Sequence, residues 1–189
     1  MTTIYTSKPL PKRRANDFYP TPAPIVARCV GVLPMGAYTH ALDPGCGTGV
    51  WGQQVLRRWP GALVDGCEIR DVERPEGYRY LFGGDFRLGD YADYDLVIGN
   101  PPYCYAEQFV RLGLKALNEG GHLIFLLRLA FLGGKGRARG LYRRFPLKAC
   151  YVVGRVSFSG DGKTDANEYA LFHWQKGYKG EAALRWLPE

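Results

Sequence analysis

The sequence predicts an α/β fold, a mostly parallel central sheet with helices on both faces and an antiparallel strand pair at its C-terminal end. Three observations carry that expectation. Short apolar runs alternate with stretches whose apolar residues recur at helical spacing, and the first run empties into a glycine-rich turn. The last two β-rich stretches are separated only by a polar loop, as antiparallel neighbours are.

Thr39–Asp43 opens the sheet and leads into Pro44-Gly45-Cys46-Gly47-Thr48-Gly49. Trp51, Val55 and Trp59 then recur every four residues, which predicts an amphipathic helix stopped at Pro60-Gly61. Leu63–Ile69 predicts a second strand, Tyr80–Phe82 a short third before Gly83-Gly84, and Tyr94–Gly99 a fourth. Ala106, Phe109, Val110, Leu114 and Leu117 form a helical stripe that ends at Gly120-Gly121. His122–Leu127 is apolar throughout, as for a strand buried on both faces. Tyr151–Phe158 and Glu168–Trp174 are the antiparallel pair. No internal repeat and no second domain is visible.

With 189 residues, 46% of them apolar, the chain suffices for one well-packed domain. The expected division is a flexible basic arm over residues 1–15, with Lys8, Lys12, Arg13 and Arg14, and one domain over 16–189. No apolar run approaches the roughly 20 residues of a membrane span, and the N-terminus lacks a signal-peptide core. Cys29, Cys46, Cys67, Cys104 and Cys150 are odd in number and scattered, which argues against a disulfide framework or a zinc site and for a reducing cytoplasm. The net charge is +7. Between Gly120 and Gly160 there are eight Lys or Arg and no Asp or Glu, densest at Lys135, Arg137, Arg139, Arg143, Arg144 and Lys148. That is the footprint expected for a polyanion; a solvated basic helix is the plainer alternative.

Two motifs carry the chemistry. Asn100-Pro101-Pro102-Tyr103 follows the apolar run Leu96–Gly99, so a buried strand enters a doubly proline-locked turn. An amide, a fixed carbonyl and an aromatic ring presented together suit a planar ligand with an amino group. Gly45, Gly47 and Gly49 sit between the first strand and helix, where the backbone can approach a ligand closely, and Glu68 ends the second strand nineteen residues after Gly49. A carboxylate there can accept from two ribose hydroxyls. The Gly-x-Gly-x-Gly spacing lacks the third glycine of the dinucleotide fingerprint, and Asp43 in front of it disfavours a phosphate. A purely structural turn is the alternative.

In chain order these parts resemble class I S-adenosylmethionine-dependent methyltransferases, specifically the DNA N6-adenine enzymes with an Asn-Pro-Pro-Tyr turn, including the small phage-type ones. The resemblance spans Asp17 to Trp174. It implies a Rossmann-like class I methyltransferase domain with S-adenosyl-L-methionine as cofactor and no metal. Implied cofactor contacts are Tyr19, Thr21 and Pro22 at the methionine end, Asp43, Pro44, Gly45, Cys46 and Gly47 in the turn, and Glu68 with Ile69 at the ribose. Asp85 would accept from the cofactor's adenine amino group, with Phe86 packed nearby and Asn100 also in reach. Gly89-Asp90-Tyr91 has the same shape as Gly84-Asp85-Phe86, so Asp90 competes for that role.

The resemblance also implies that Asn100, Pro101, Pro102 and Tyr103 are catalytic, with Tyr103 stacking on a flipped adenine. Phe158 is the candidate second wall, or else an ordinary strand-end aromatic, and His173 is expected in the core. Lys163 and Thr164 would touch phosphate or a flanking base, and Lys135, Arg137 and Arg139 the polyanion. The expected partner is double-stranded DNA, with RNA as the alternative, in the cytoplasm (the host's if the chain is phage-encoded). There is no room for a separate target-recognition domain, so a short or relaxed target sequence is expected. The same turn also occurs in enzymes that methylate a glutamine amide of release factors and in others that methylate ribosomal or transfer RNA; methylation of cytosine N4 is a further alternative, although those enzymes more often have Ser in place of Asn100. A degenerate cofactor-binding module beside an active partner is the non-enzymatic alternative.

Overall fold

The computed structural model describes residues 20–36, 38–158 and 164–189. Eight strands form one sheet: β1 (His40–Pro44), β2 (Leu63–Glu68), β3 (Tyr80–Gly83), β4 (Tyr94–Gly99), β5 (Leu117–Arg128), β6 (Ala149–Arg155), β7 (Glu168–Gln175) and β8 (Ala183–Trp186). Their order is β3-β2-β1-β4-β5-β7-β6-β8. Every pairing is parallel except those of β7, which runs antiparallel to β5 and β6. The predicted mixed sheet with an antiparallel end is therefore the observed one.

Side-chain alternation along the central strands supplies two cores. On one face, α1 (Ala23–Gly31) and α2 (Val50–Arg58) bring Val26, Val30, Trp51 and Val55 against Leu96, Ile98, Ile124, Leu126 and Leu171. On the other, α3 (Ala106–Ala116) packs Phe109, Val110 and Leu114 against Val97, Leu123, Phe125 and Phe172. Successive strand residues serve opposite faces, so β4 and β5 need apolar residues at every position.

The element boundaries differ from the expectation in instructive places. β5 begins at Leu117, because Gly120-Gly121 lies within the strand rather than ending the preceding helix. β6 stops at Arg155, which leaves Phe158 beyond the strand, and β8, a short and largely exposed edge strand, escapes a search for apolar runs. The basic segment is a 3-10 turn (Leu129–Leu132) followed by the helical turns Lys135–Arg137 and Ala138–Tyr142. Glycines at 133, 134, 136 and 140 keep it from forming one long helix.

His173 is buried, as expected, and meets His122 across the β5–β7 pair, with Nδ1 of His122 2.7 Å from Nε2 of His173. Burial, together with the charge of Lys148, pushes His122 down to about 4 and His173 to about 3. Both rings are thus neutral in the fold, while each binds a proton in the unfolded chain below about pH 6.5. Their contribution is complete above that pH and is lost as the pH falls toward 4. Between pH 7 and pH 5 the pair should cost about 4 kcal/mol of stability, about 2 for each ring. Urea unfolding of the wild type and of the His122→Leu/His173→Leu double variant checks this, because other titrating groups are common to both. Equal pH slopes for the two proteins would refute the neutral pair.

Candidate active site

The strand order reverses direction beside β1 and β4, and there the carboxyl ends of the strands open a crevice. A cavity of about 620 Å³ occupies it, walled by the turns after β1, β2, β3 and β4. After β1, Gly45, Gly47 and Gly49 adopt φ of 75°, 57° and 82°, a region that favours glycine, so the turn can fold back tightly. It folds onto β2: the N–H groups of Gly45 and Cys46 donate to the Cys67 carbonyl at 2.7 and 3.0 Å, and that of Gly47 to Glu68 Oε2 at 2.9 Å. Gly45 and Cys46 line the cavity, whereas Pro44 and Gly47 stand behind its wall.

Asp43 also stands behind the wall, fully buried. The Tyr78 hydroxyl donates to its Oδ2 at 2.6 Å and accepts the Gly52 N–H at 3.0 Å. Oδ1 of Asp43 is buried without a hydrogen-bond partner among the described residues. Burial pushes this carboxyl up to about 7, against the lowering effect of the Tyr78 hydrogen bond. The Tyr78 ring occupies space that Gly49, Gly52 and Gly66 leave by having no side chain. Tyr78 was absent from the sequence reading, and its only signal there is three glycines on other elements.

Glu68 and Asp85 both reach the cavity, and each holds an arginine two positions on. Arg70 donates through Nε to Glu68 Oε1 at 2.9 Å and through Nη2 to Oε2 at 3.1 Å. Burial raises the Glu68 carboxyl, but hydrogen bonds from Arg70 and the Gly47 N–H outweigh it and hold the group below its usual range. Arg87 likewise binds both oxygens of Asp85 and lies over the Tyr105 ring, 3.7 Å from its centroid. Both arginines line the cavity. The acid-x-Arg spacing stands in the sequence at Glu68-x-Arg70 and Asp85-x-Arg87. Ile69 and Phe86 are on the wall as well, whereas Asp90 is 85% exposed and paired with Lys115.

After β4, the Asn100 amide nitrogen donates to Thr21 Oγ1 at 3.2 Å, which fixes the amide's orientation and ties the turn to the chain entering α1. Thr21, Asn100, Pro101, Pro102 and Tyr103 all line the cavity, while Pro22 caps α1 behind it. Tyr105 donates its N–H to the Pro102 carbonyl at 2.9 Å, which commits that oxygen to the turn. The Tyr103 ring lies 5.7 Å from Tyr169, and the Arg128 guanidinium sits over it at 5.1 Å.

Of the remaining candidates, Phe158 packs edge-on against Tyr169 at 5.1 Å and is not on the cavity wall. Thr164, Lys135 and Arg139 are exposed and away from it, while Arg137 lines a smaller neighbouring cavity. Tyr19, Lys163 and the basic arm lie outside the described residues. Among the described residues no cluster of metal-binding side chains occurs and no helix is long and apolar enough to cross a membrane.

No protein-family model and no curated protein matches the chain. Solved structures do match in fold. A modification subunit of a provisionally assigned type I restriction enzyme from Vibrio vulnificus is 18% identical over 89% of this chain and 46% of its own, with a TM-score of 0.66. A provisionally assigned class I S-adenosylmethionine-dependent methyltransferase from Listeria monocytogenes is 16% identical over 86% of this chain and 64% of its own, at 0.65. A provisionally assigned RNA methyltransferase from Pyrococcus horikoshii is 16% identical over 85% and 87%, at 0.63. This chain thus spans less than two thirds of the first two proteins. At these identities the likeness establishes a Rossmann-like, class I methyltransferase fold.

Proposed function

We propose that this chain transfers a methyl group from S-adenosylmethionine to the exocyclic N6 amine of an adenine flipped out of DNA. The observation that carries the reading is the Asn100–Tyr103 turn on the wall of the same cavity as the glycine turn and Glu68. The cofactor supplies an activated methyl group on a cationic sulfur. The residues present fit it on two counts. Gly45 lies on the cavity wall opposite Pro102, and its missing side chain lets a ligand lie close against the backbone of the turn. Glu68 offers acceptors for vicinal hydroxyls beside an exposed Ile69.

The adenine amine is a poor nucleophile because its lone pair is delocalised into the ring. Acceptance of its hydrogens by the Asn100 side-chain oxygen and the Pro101 carbonyl draws the nitrogen toward tetrahedral geometry. Those bonds strengthen as positive charge grows on nitrogen, so they stabilise the transition state more than the ground state. Thr21 orients the amide, and the two prolines hold the carbonyl without backbone adjustment. Tyr103 presents the stacking face, from which Arg128 must withdraw when a base enters.

The test is methyl transfer from labelled S-adenosylmethionine to unmethylated duplex DNA, with single-stranded DNA and total RNA in parallel and products identified as nucleosides by mass. N6-methyladenine from DNA is the expected product. Label in RNA or protein alone would overturn the substrate, and N4-methylcytosine the base. Glu68→Ala should weaken cofactor binding about 10–100-fold by calorimetry, the worth of hydrogen bonds to a charged group. An unchanged Kd would remove Glu68 from the cofactor site.

A further inference from the structure

A second cavity, of about 340 Å³, adjoins the first and shares Tyr103, Cys104 and Arg128 with it. Leu127, Phe131 and Arg137 complete its distinctive wall. We infer that it receives the base of the nucleotide adjoining the target adenine, with Phe131 as stacking surface and Arg128 and Arg137 on the flanking phosphates. The inference rests on the nucleic-acid reading above and adds the source of sequence preference to it.

The Phe131 ring is positioned by its surroundings. It meets Phe172 edge-on at 5.4 Å and Tyr142 at 6.3 Å, both nearly perpendicular. Its backbone carbonyl accepts from Arg137 Nε at 2.9 Å and from the Tyr142 hydroxyl at 2.8 Å. The Arg137 guanidinium lies over the ring, 4.7 Å from the centroid. Phe131 is therefore a ring held in place from three sides, and a base stacks on it once the Arg137 guanidinium swings off its face toward a phosphate, as Arg128 does from Tyr103.

Charge selects the class of ligand. Arg128 and Arg137 stand at this cavity within a forty-one-residue span, 120–160, that contains no acidic residue, so an anionic ligand meets no repulsion from its own walls. Aromatic faces beside guanidinium groups match the alternation of bases and phosphates along a strand. A glutamine side chain offers no second ring or phosphate to use them. Tyr103, Cys104 and Arg128 line both cavities, so the two sites are adjacent, as neighbouring nucleotides of one strand require.

The test uses fluorescence anisotropy of the full chain with S-adenosylhomocysteine and labelled oligonucleotides carrying one adenine. Partners have an abasic site immediately 5′ or 3′ of it, which removes the base and keeps the phosphates. The wild type should bind one abasic partner about 10-fold more weakly, the loss of one stacked base. Phe131→Ala should bind the intact strand with that same loss and show no further loss with the abasic one. Arg137→Gln should reduce the salt slope of binding by about one. A wild type indifferent to both abasic sites overturns the inference without any variant, as does equal discrimination by Phe131→Ala. Failure of the wild type to bind any nucleic acid overturns the substrate reading together with this site; binding without discrimination overturns this site alone.

Discussion

Asn100→Ala should lower kcat for methyl transfer about 10²–10³-fold, the usual cost of removing one preorganised group that acts on developing charge. KM for DNA and the unfolding midpoint should move little, since Asn100 binds ground and transition states unequally and is only half buried. Asn100→Ser keeps an oxygen acceptor and should retain an intermediate rate. Steady-state kinetics with a single-site duplex separates kcat from KM. An Asn100→Ala enzyme within a few-fold of wild-type kcat would show that the turn serves only to shape the backbone.

Gly52→Ala should be strongly destabilising for a single added methyl group. A Cβ at Gly52 would land on the Tyr78 hydroxyl, with Cε2 only 2.6 Å away, and the helix backbone leaves it no other place. Tyr78 would have to leave, taking with it the donor to Asp43 Oδ2 and the acceptor of the Gly52 N–H. Overpacking costs about 1–3 kcal/mol and an unsatisfied buried carboxyl about as much again, so a loss of about 3–5 kcal/mol is expected. Gly61→Ala is the control, since a Cβ there meets nothing within 4 Å. Chemical denaturation of both variants decides: a Gly52→Ala cost below about 1 kcal/mol would mean that Tyr78 is easily displaced.

The sheet was legible because β4 and β5 serve two cores at once. Leu96, Val97 and Ile98 point alternately to the two helix layers, and that demand writes an unbroken apolar run into the sequence. α1 was not legible in the same way. Its nine residues follow Pro22 and bury only Val26, Cys29 and Val30, too short a stripe to stand out in the sequence. The glycine turn, Glu68 and the Asn100 turn could be read because each directly follows an apolar run. Tyr78 could not, because the space it fills is left by glycines on three other segments, and complementarity between distant positions has no local signature. Arg70 and Arg87 were readable as acid-x-Arg pairs but carry no meaning until the cavity brings both together.

Those two pairs bear on how the proposed turnover would stop as well as start. Glu68 and Asp85 carry their own counterions, so the two carboxyls on the wall create little net field in the cavity. Such a site holds its ligand by shape and hydrogen bonding more than by charge. The spent cofactor differs from the fresh one chiefly by the missing methyl group and its positive charge. A cavity with little electrostatic preference has little means of ejecting it, so accumulation of product, rather than shortage of substrate, is what would bring turnover to a halt.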